Sequence, residues 1–170
     1  MKKIILAIFI ILILVSCNNT EENKIKNIVI NYIDEIPAEI VANNIPEDDL
    51  GINYVSSIFA FLQREILNIQ INNNSAIVTV RIKNVNLGSA YLLAMMRADN
   101  LIMDPNQDKK VIRSRFVLEE FSSAEYMDEL VCKIHLIKNN NNWNISYVDN
   151  DNFVFTIVGN LHVGIYQYYN

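Results

Sequence analysis

Hydrophobic and polar positions change rhythm several times along this chain. Between Glu21 and Ile36, apolar residues recur at three and four spacing: Ile25, Ile28, Val29, Tyr32, Ile33 and Ile36. That period predicts an amphipathic helix, with Thr20 as a candidate N-cap and Pro37 as its end. Residues 38–45 read as a connector. A second helix is expected from Pro46 to about Glu65, where Glu47-Asp48-Asp49 suits a helix start. Its stripe is Leu50, Tyr54, Ile58, Phe61, Leu62 and Ile66.

The period then falls to two. Leu67, Ile69 and Ile71 alternate with Asn68, Gln70 and Asn72, and Ala76, Val78, Val80 and Ile82 alternate after the polar turn Asn72–Ser75. This predicts a β-hairpin. Ala90 to Met103 reads as a helix, broken by Asp104-Pro105-Asn106. Lys109 to Phe121 fits a helix, with a strand as the alternative. Ala124 to Lys138 alternates, placing Leu130, Cys132, Ile134 and Leu136 on one face and Glu129, Lys133 and His135 on the other. Asn139–Asn142 forms a turn, and Trp143, Ile145 and Tyr147 mark the returning strand. A short helix is expected over Phe153–Val158, with Gly159 as its stop. The apolar, aromatic tail 161–170 is expected as a last strand or a packed arm. The order predicts an α+β domain, with helices packed on one face of a curved, cone-like antiparallel sheet.

The first residues obey none of these periods. Met1-Lys2-Lys3 is followed by twelve unbroken apolar residues, Ile4 to Val15, then Ser16-Cys17 and the polar Asn18-Asn19-Thr20. Twelve helical residues span about 18 Å, short of the ~30 Å hydrocarbon core, which makes the run a secretory h-region. The segment Leu14-Val15-Ser16-Cys17 resembles the lipobox of bacterial lipoproteins. The resemblance implies cleavage before Cys17 and attachment of a diacylglyceryl group to its thiol. Residues 1–16 are then signal peptide, 17–24 a tether and 25–170 a single domain. It also implies a cell-envelope address: the outer membrane in a diderm, since Asn18 is not Asp, or the outer face of the plasma membrane in a monoderm.

Charge changes the picture further. The chain has 14 Lys and Arg against 19 Asp and Glu, a net charge of −5. The basic residues are scattered, which argues against a nucleic-acid partner. If Cys17 carries lipid, Cys132 stands alone, so no disulfide is expected within the mature chain, and the alternation around it reads as core.

The second hairpin, Leu136-Ile137-Lys138, Asn139–Asn142, Trp143-Asn144-Ile145, followed later by Gly159-Asn160-Leu161, resembles small lipoproteins of the nuclear-transport-factor-two-like superfamily, the cystatin-like cone. The resemblance implies an α+β cone without assigning an activity. Some enzymes on that fold use an Asp or His base with Tyr donors. Here the candidate pocket residues are Tyr54, Tyr91, Met95, Met96 and Tyr147, with Met103, Asp99 and His135 near them in the sequence pattern.

No H-x-x-H, C-x-x-C, G-x-S-x-G, P-loop or dinucleotide fingerprint is present. Neither a cofactor nor a metal is expected, and no catalytic residue is singled out. Three readings follow. The first is a non-catalytic envelope module, anchored in the membrane at Cys17 and binding an envelope protein or a second copy through its sheet or aromatic tail. The second is a cone that binds a small apolar ligand, and the third an isomerase or hydratase.

Overall fold

The computed structural model describes residues 2–45, 53–101 and 108–170, with side chains from Glu21 onward. The element order is α1 (Lys2–Asn44), α2 (Tyr54–Phe61), β1 (Gln63–Asn72), β2 (Ser75–Lys83), α3 (Leu87–Leu101), α4 (Lys109–Ser123), β3 (Leu130–Asn139), β4 (Asn142–Val148), α5 (Phe153–Ile157) and α6 (Leu161–Tyr169). The fold is α+β, with helices packed against a curved antiparallel sheet of strand order β1-β2-β3-β4.

The inner face of the sheet follows the alternation in the sequence. Val78, Val80 and Ile82 on β2, and Cys132, Ile134 and Leu136 on β3, are buried against Ile25, Val29, Ile33 and Ile36 of α1 and Phe153 and Ile157 of α5. A second core is wholly helical. Tyr54, Ile58, Ala94, Met95, Val117, Phe121 and Leu161 pack together there, joined by Val41 and Ile45 from the far end of α1.

α1 therefore belongs to both cores, and this explains the largest departure from the sequence reading. Pro37 lies inside the helix rather than ending it. A proline in a helix interior costs about 3 kcal/mol. Ile36, Val41 and Ile45 are all buried beside or beyond it, and each such side chain contributes roughly 1.5–3 kcal/mol on burial. The packing outweighs the break. Residues 17–24, expected as a tether, are helical and continue into the packed part of α1.

Other boundaries moved for local reasons. The helix expected over 46–65 is α2, which ends at Phe61; residues 46–52 lie outside the described part. Asn53 caps α2, its Oδ1 accepting from Ser56 N at 3.0 Å. Ile66, expected on the helix stripe, instead pairs with Val80 across β1 and β2. A bulge between Ile66 and Asn68 places Ile66, Ile69 and Ile71 on the inner face and takes Leu67 out of that row. Residues 109–121 are helical, capped by Asp108, which accepts from Lys110 N at 3.0 Å and Val111 N at 3.4 Å. β3 starts at Leu130 rather than near Ala124. The expected break at 104–106 lies outside the described residues.

The tail is neither strand nor arm but α6, launched from Gly159 (φ 56°) and Asn160 (φ 57°) in left-handed geometry. α6 crosses α3 backbone to backbone at Gly88 and Gly164. A Cβ added at Gly164 would stand 2.0 Å from the Gly88 carbonyl oxygen, and one at Gly88 would stand 2.3 Å from that of Asn160.

Candidate functional site

One opening of the described surface lies where α1 meets the edge strand β1. α1 is tied to the opposite edge of the sheet. Glu21 Oε2 accepts from Trp143 Nε1 at 2.6 Å and from Lys138 Nζ at 3.1 Å. These donors hold the Glu21 carboxyl below its ordinary value of 4.5, the Trp143 hydrogen bond first and Lys138 second. A carboxylate with a lowered pKa adds stability that is present above its unfolded pKa and fades as pH falls through the folded one. Acid titration of the wild type is therefore expected to show a loss of stability below about pH 4.5 that is diminished in Glu21→Gln, read from denaturant midpoints at each pH.

With α1 drawn toward β4, β1 is left partly uncovered. Ala76, Val78 and Val80 on β2 are 0–2% exposed, whereas their same-face partner Ile71 on β1 is 39% exposed. The result is a trough running along both elements. Its largest compartment, about 620 Å³, is lined by Ile30 and Ile33 of α1, Leu62, and Ile66 and Val80 of the sheet, with Lys26, Gln63, Arg64 and Glu65 around them. Smaller continuations follow α1 back to Glu22 and β1 forward to Asn73. α1 and β1 thus run in opposite directions along the trough. Arg64 closes its far end, held by Asp34 at 3.0 Å and lying 5.8 Å from the Phe59 ring centroid. Among the described residues, no strand pairs with the outer side of β1. An apolar floor with a charged rim is suited to binding an apolar or extended ligand.

A second cleft, about 750 Å³, lies where α3 and α6 meet the start of β3. Its lining mixes the amides of Asn86, Asn152, Asn160 and Gln167 with the carboxylates of Asp128 and Glu129 and apolar Leu130, Phe155 and Val163. His162 stacks on Phe155 at 4.8 Å, and burial lowers its pKa.

The pocket residues expected from the sequence separate into three places. Tyr54, Tyr91 and Met95 come together inside the helical core, at most 1% exposed, with the Tyr54 and Tyr91 rings 6.1 Å apart. Met96 points outward from α3 and is 56% exposed. Tyr147 is on the outer face of the sheet, stacked on His135 at 4.1 Å. Asp99 meets a different tyrosine: Tyr168 donates to it at 2.5 Å, and Arg113 lies 3.3 Å away. Met103 lies outside the described residues. Cys17 is in α1, ahead of the first described side chain.

The trough was missed because its opening depends on how far α1 shifts across the sheet. The exchange of Leu67 for Ile66 on the inner face, through the bulge, is likewise invisible to a simple alternation.

Cys132 is buried among the inner-face residues, and its thiol is pushed up to about 11, by burial first and by the Asp149 charge second. Only a thiolate is a competent nucleophile. Cys132 is therefore expected to resist maleimide in the native protein at neutral pH and to react fully in denaturant. Because its folded pKa is raised, the neutral thiol's contribution to stability holds below its ordinary value and is lost as pH rises toward about 11.

No family model matches the chain, and no curated protein matches it. Among solved structures, it is similar to a Bacillus subtilis protein described as a lipoprotein, YcdA. The two are 14% identical with a TM-score of 0.43, over 78% of this chain and 45% of that one. The chain thus spans just under half the length of that structure.

Proposed function

We propose that this chain is a lipid-anchored protein of the bacterial cell envelope, built as a non-catalytic binding module of the cystatin-like cone type, with the trough between α1 and β1 as its working surface. The observation that carries the anchoring is the run Ile4–Val15 ending in Leu14-Val15-Ser16-Cys17. The fold supports it, since Glu21, four residues after the cysteine that would receive the lipid, is already hydrogen-bonded to the sheet through Trp143 and Lys138. Two or more acyl chains give near-permanent attachment, at about 0.8 kcal/mol per buried CH₂.

Detergent phase separation of cells expressing the chain tests this reading. The wild type is expected in the detergent phase and Cys17→Ser predominantly in the aqueous phase or as uncleaved precursor. Equal detergent partitioning of two correctly cleaved proteins would refute lipidation at Cys17.

Binding at the trough has two candidate ligands. An envelope protein fits the free edge of β1, where an added strand could pair with the sheet. A small apolar ligand fits the ~620 Å³ compartment, which is within the usual range for ligand pockets. Ile66→Asp places a charge on the half-buried floor and is expected to weaken either ligand at least tenfold. Calorimetry with free fatty acids, set against cross-linking in intact cells, separates the two.

A further inference from the structure

We infer that the hairpin-turn end of the domain rests directly on the phospholipid headgroups, so that α1 and its trough stand upright from the membrane and α3, α4 and α6 project outward. The inference rests on acylation of Cys17, and it concerns how the domain is then held.

Three observations converge on that end of the molecule. α1 is continuous through Cys17 and Glu21. Four helical residues rise about 6 Å, and even fully extended they reach at most ~14 Å. The headgroup layer of one leaflet is itself roughly 5–8 Å deep. Glu21 is locked to Lys138 and Trp143, which flank the β3–β4 turn. That turn is joined to the β1–β2 turn, where Lys138 N donates to Asn74 O at 2.8 Å. The acylated residue therefore cannot leave the neighbourhood of the two turns.

The chemistry of those turns suits headgroups. Asn73, Asn74, Asn140 and Asn141 are all exposed, and three of them hold left-handed φ values of 50–65° that keep the turns tight. Their amides offer donors to phosphate and ester oxygens without a net charge. No apolar side chain of either turn needs to enter the bilayer. At the opposite pole, Val41 of α1 and Ile45 just past its end sit in the helical core, 20 and 24 residues beyond Glu21. At 1.5 Å per residue that core lies roughly 30 Å or more from the anchor, further than the short connection can swing.

The test uses the acylated protein in phosphatidylethanolamine–phosphatidylglycerol vesicles that contain a headgroup-spin-labelled lipid. A fluorophore is placed at Asn142→Cys in one sample and at Leu118→Cys, on exposed α4, in another; Val111→Cys is the substitute should Leu118→Cys perturb that helix. Mass spectrometry confirms the acyl chains in each. Quenching is expected to be several-fold stronger at position 142 than at 118. Inserting about fifteen Gly and Ser residues between Asn19 and Thr20, a span of roughly 20 Å, should largely abolish that difference. Equal quenching of the two labels in an acylated, spacer-free protein would overturn the upright docking and leave the anchoring intact. Absence of acyl chains would overturn both.

Discussion

Gly164→Ala is expected to lower the stability of the domain by about 3 kcal/mol, the upper end of what overpacking typically costs. The added methyl would meet the Gly88 carbonyl oxygen at 2.0 Å and the Gly88 Cα at 2.7 Å. All the neighbouring atoms in the clash are main chain, so no side-chain rotation relieves it. α6 must back away from α3, which loosens Leu161 and Ile165 in the helical core. Gly88→Ala strains the same crossing from the other side, and the two changes are expected to be less than additive when combined. Denaturant unfolding measures both. A loss below about 1 kcal/mol for Gly164→Ala would mean that the two helices do not cross backbone to backbone.

Asn84→Ala is expected to cost about 2–4 kcal/mol, from the stranding of buried polar groups rather than from lost volume. Asn84 is 0% exposed at the end of β2. Its Nδ2 donates to the Ile157 carbonyl at 2.6 Å, and its Oδ1 accepts from Val85 N at 2.9 Å. Its own carbonyl accepts from Met127 N at 2.9 Å. One side chain thus ties the sheet to α5 at the junction of the two cores. Alanine leaves the Ile157 carbonyl without its amide donor and the Val85 amide without its side-chain acceptor. For a chain of this size each kcal/mol corresponds to roughly 2–4 °C in Tm, so a shift on the order of 10 °C is expected by calorimetry. Asn84→Leu restores volume but not hydrogen bonds, and it should rescue little. Substantial rescue by leucine would show that packing, not polar satisfaction, governs this position.

These two positions also mark the limit of what could be read from the residues. The inner face of β2 and β3 was legible because burial on one side of a strand imposes a period of two, and Val78, Val80, Cys132 and Ile134 obey it. The helix over 109–121 was only partly legible, because Val111, Arg115 and Leu118 keep helical spacing while Val117, Glu119 and Phe121 also suit a strand. The extent of α1 was not, because Pro37 is a local signal and the packing that overrides it comes from distant segments. α6 was within reach: Leu161, Ile165 and Tyr168 keep helical spacing, but the segment's aromatic content favoured a strand. The contact between Gly88 and Gly164 depends on how closely two backbones approach, and no pattern of side chains announces that. Of the proposed site, the motif Leu14-Val15-Ser16-Cys17 is a local feature of the sequence itself. The trough arises from the lateral offset of α1 over the sheet and has no signature in sequence.

In the reading proposed above, the chain is held at the membrane through Cys17, four residues before Glu21 is tied to the sheet. The most direct measurement is the intact mass of the protein extracted from bacterial membranes, followed by fragmentation of its N-terminal peptide. The account predicts a mature chain that starts at Cys17 and carries a diacylglyceryl group on that residue. A chain that retains Met1–Ser16, or that starts at Cys17 with a free thiol, would contradict it.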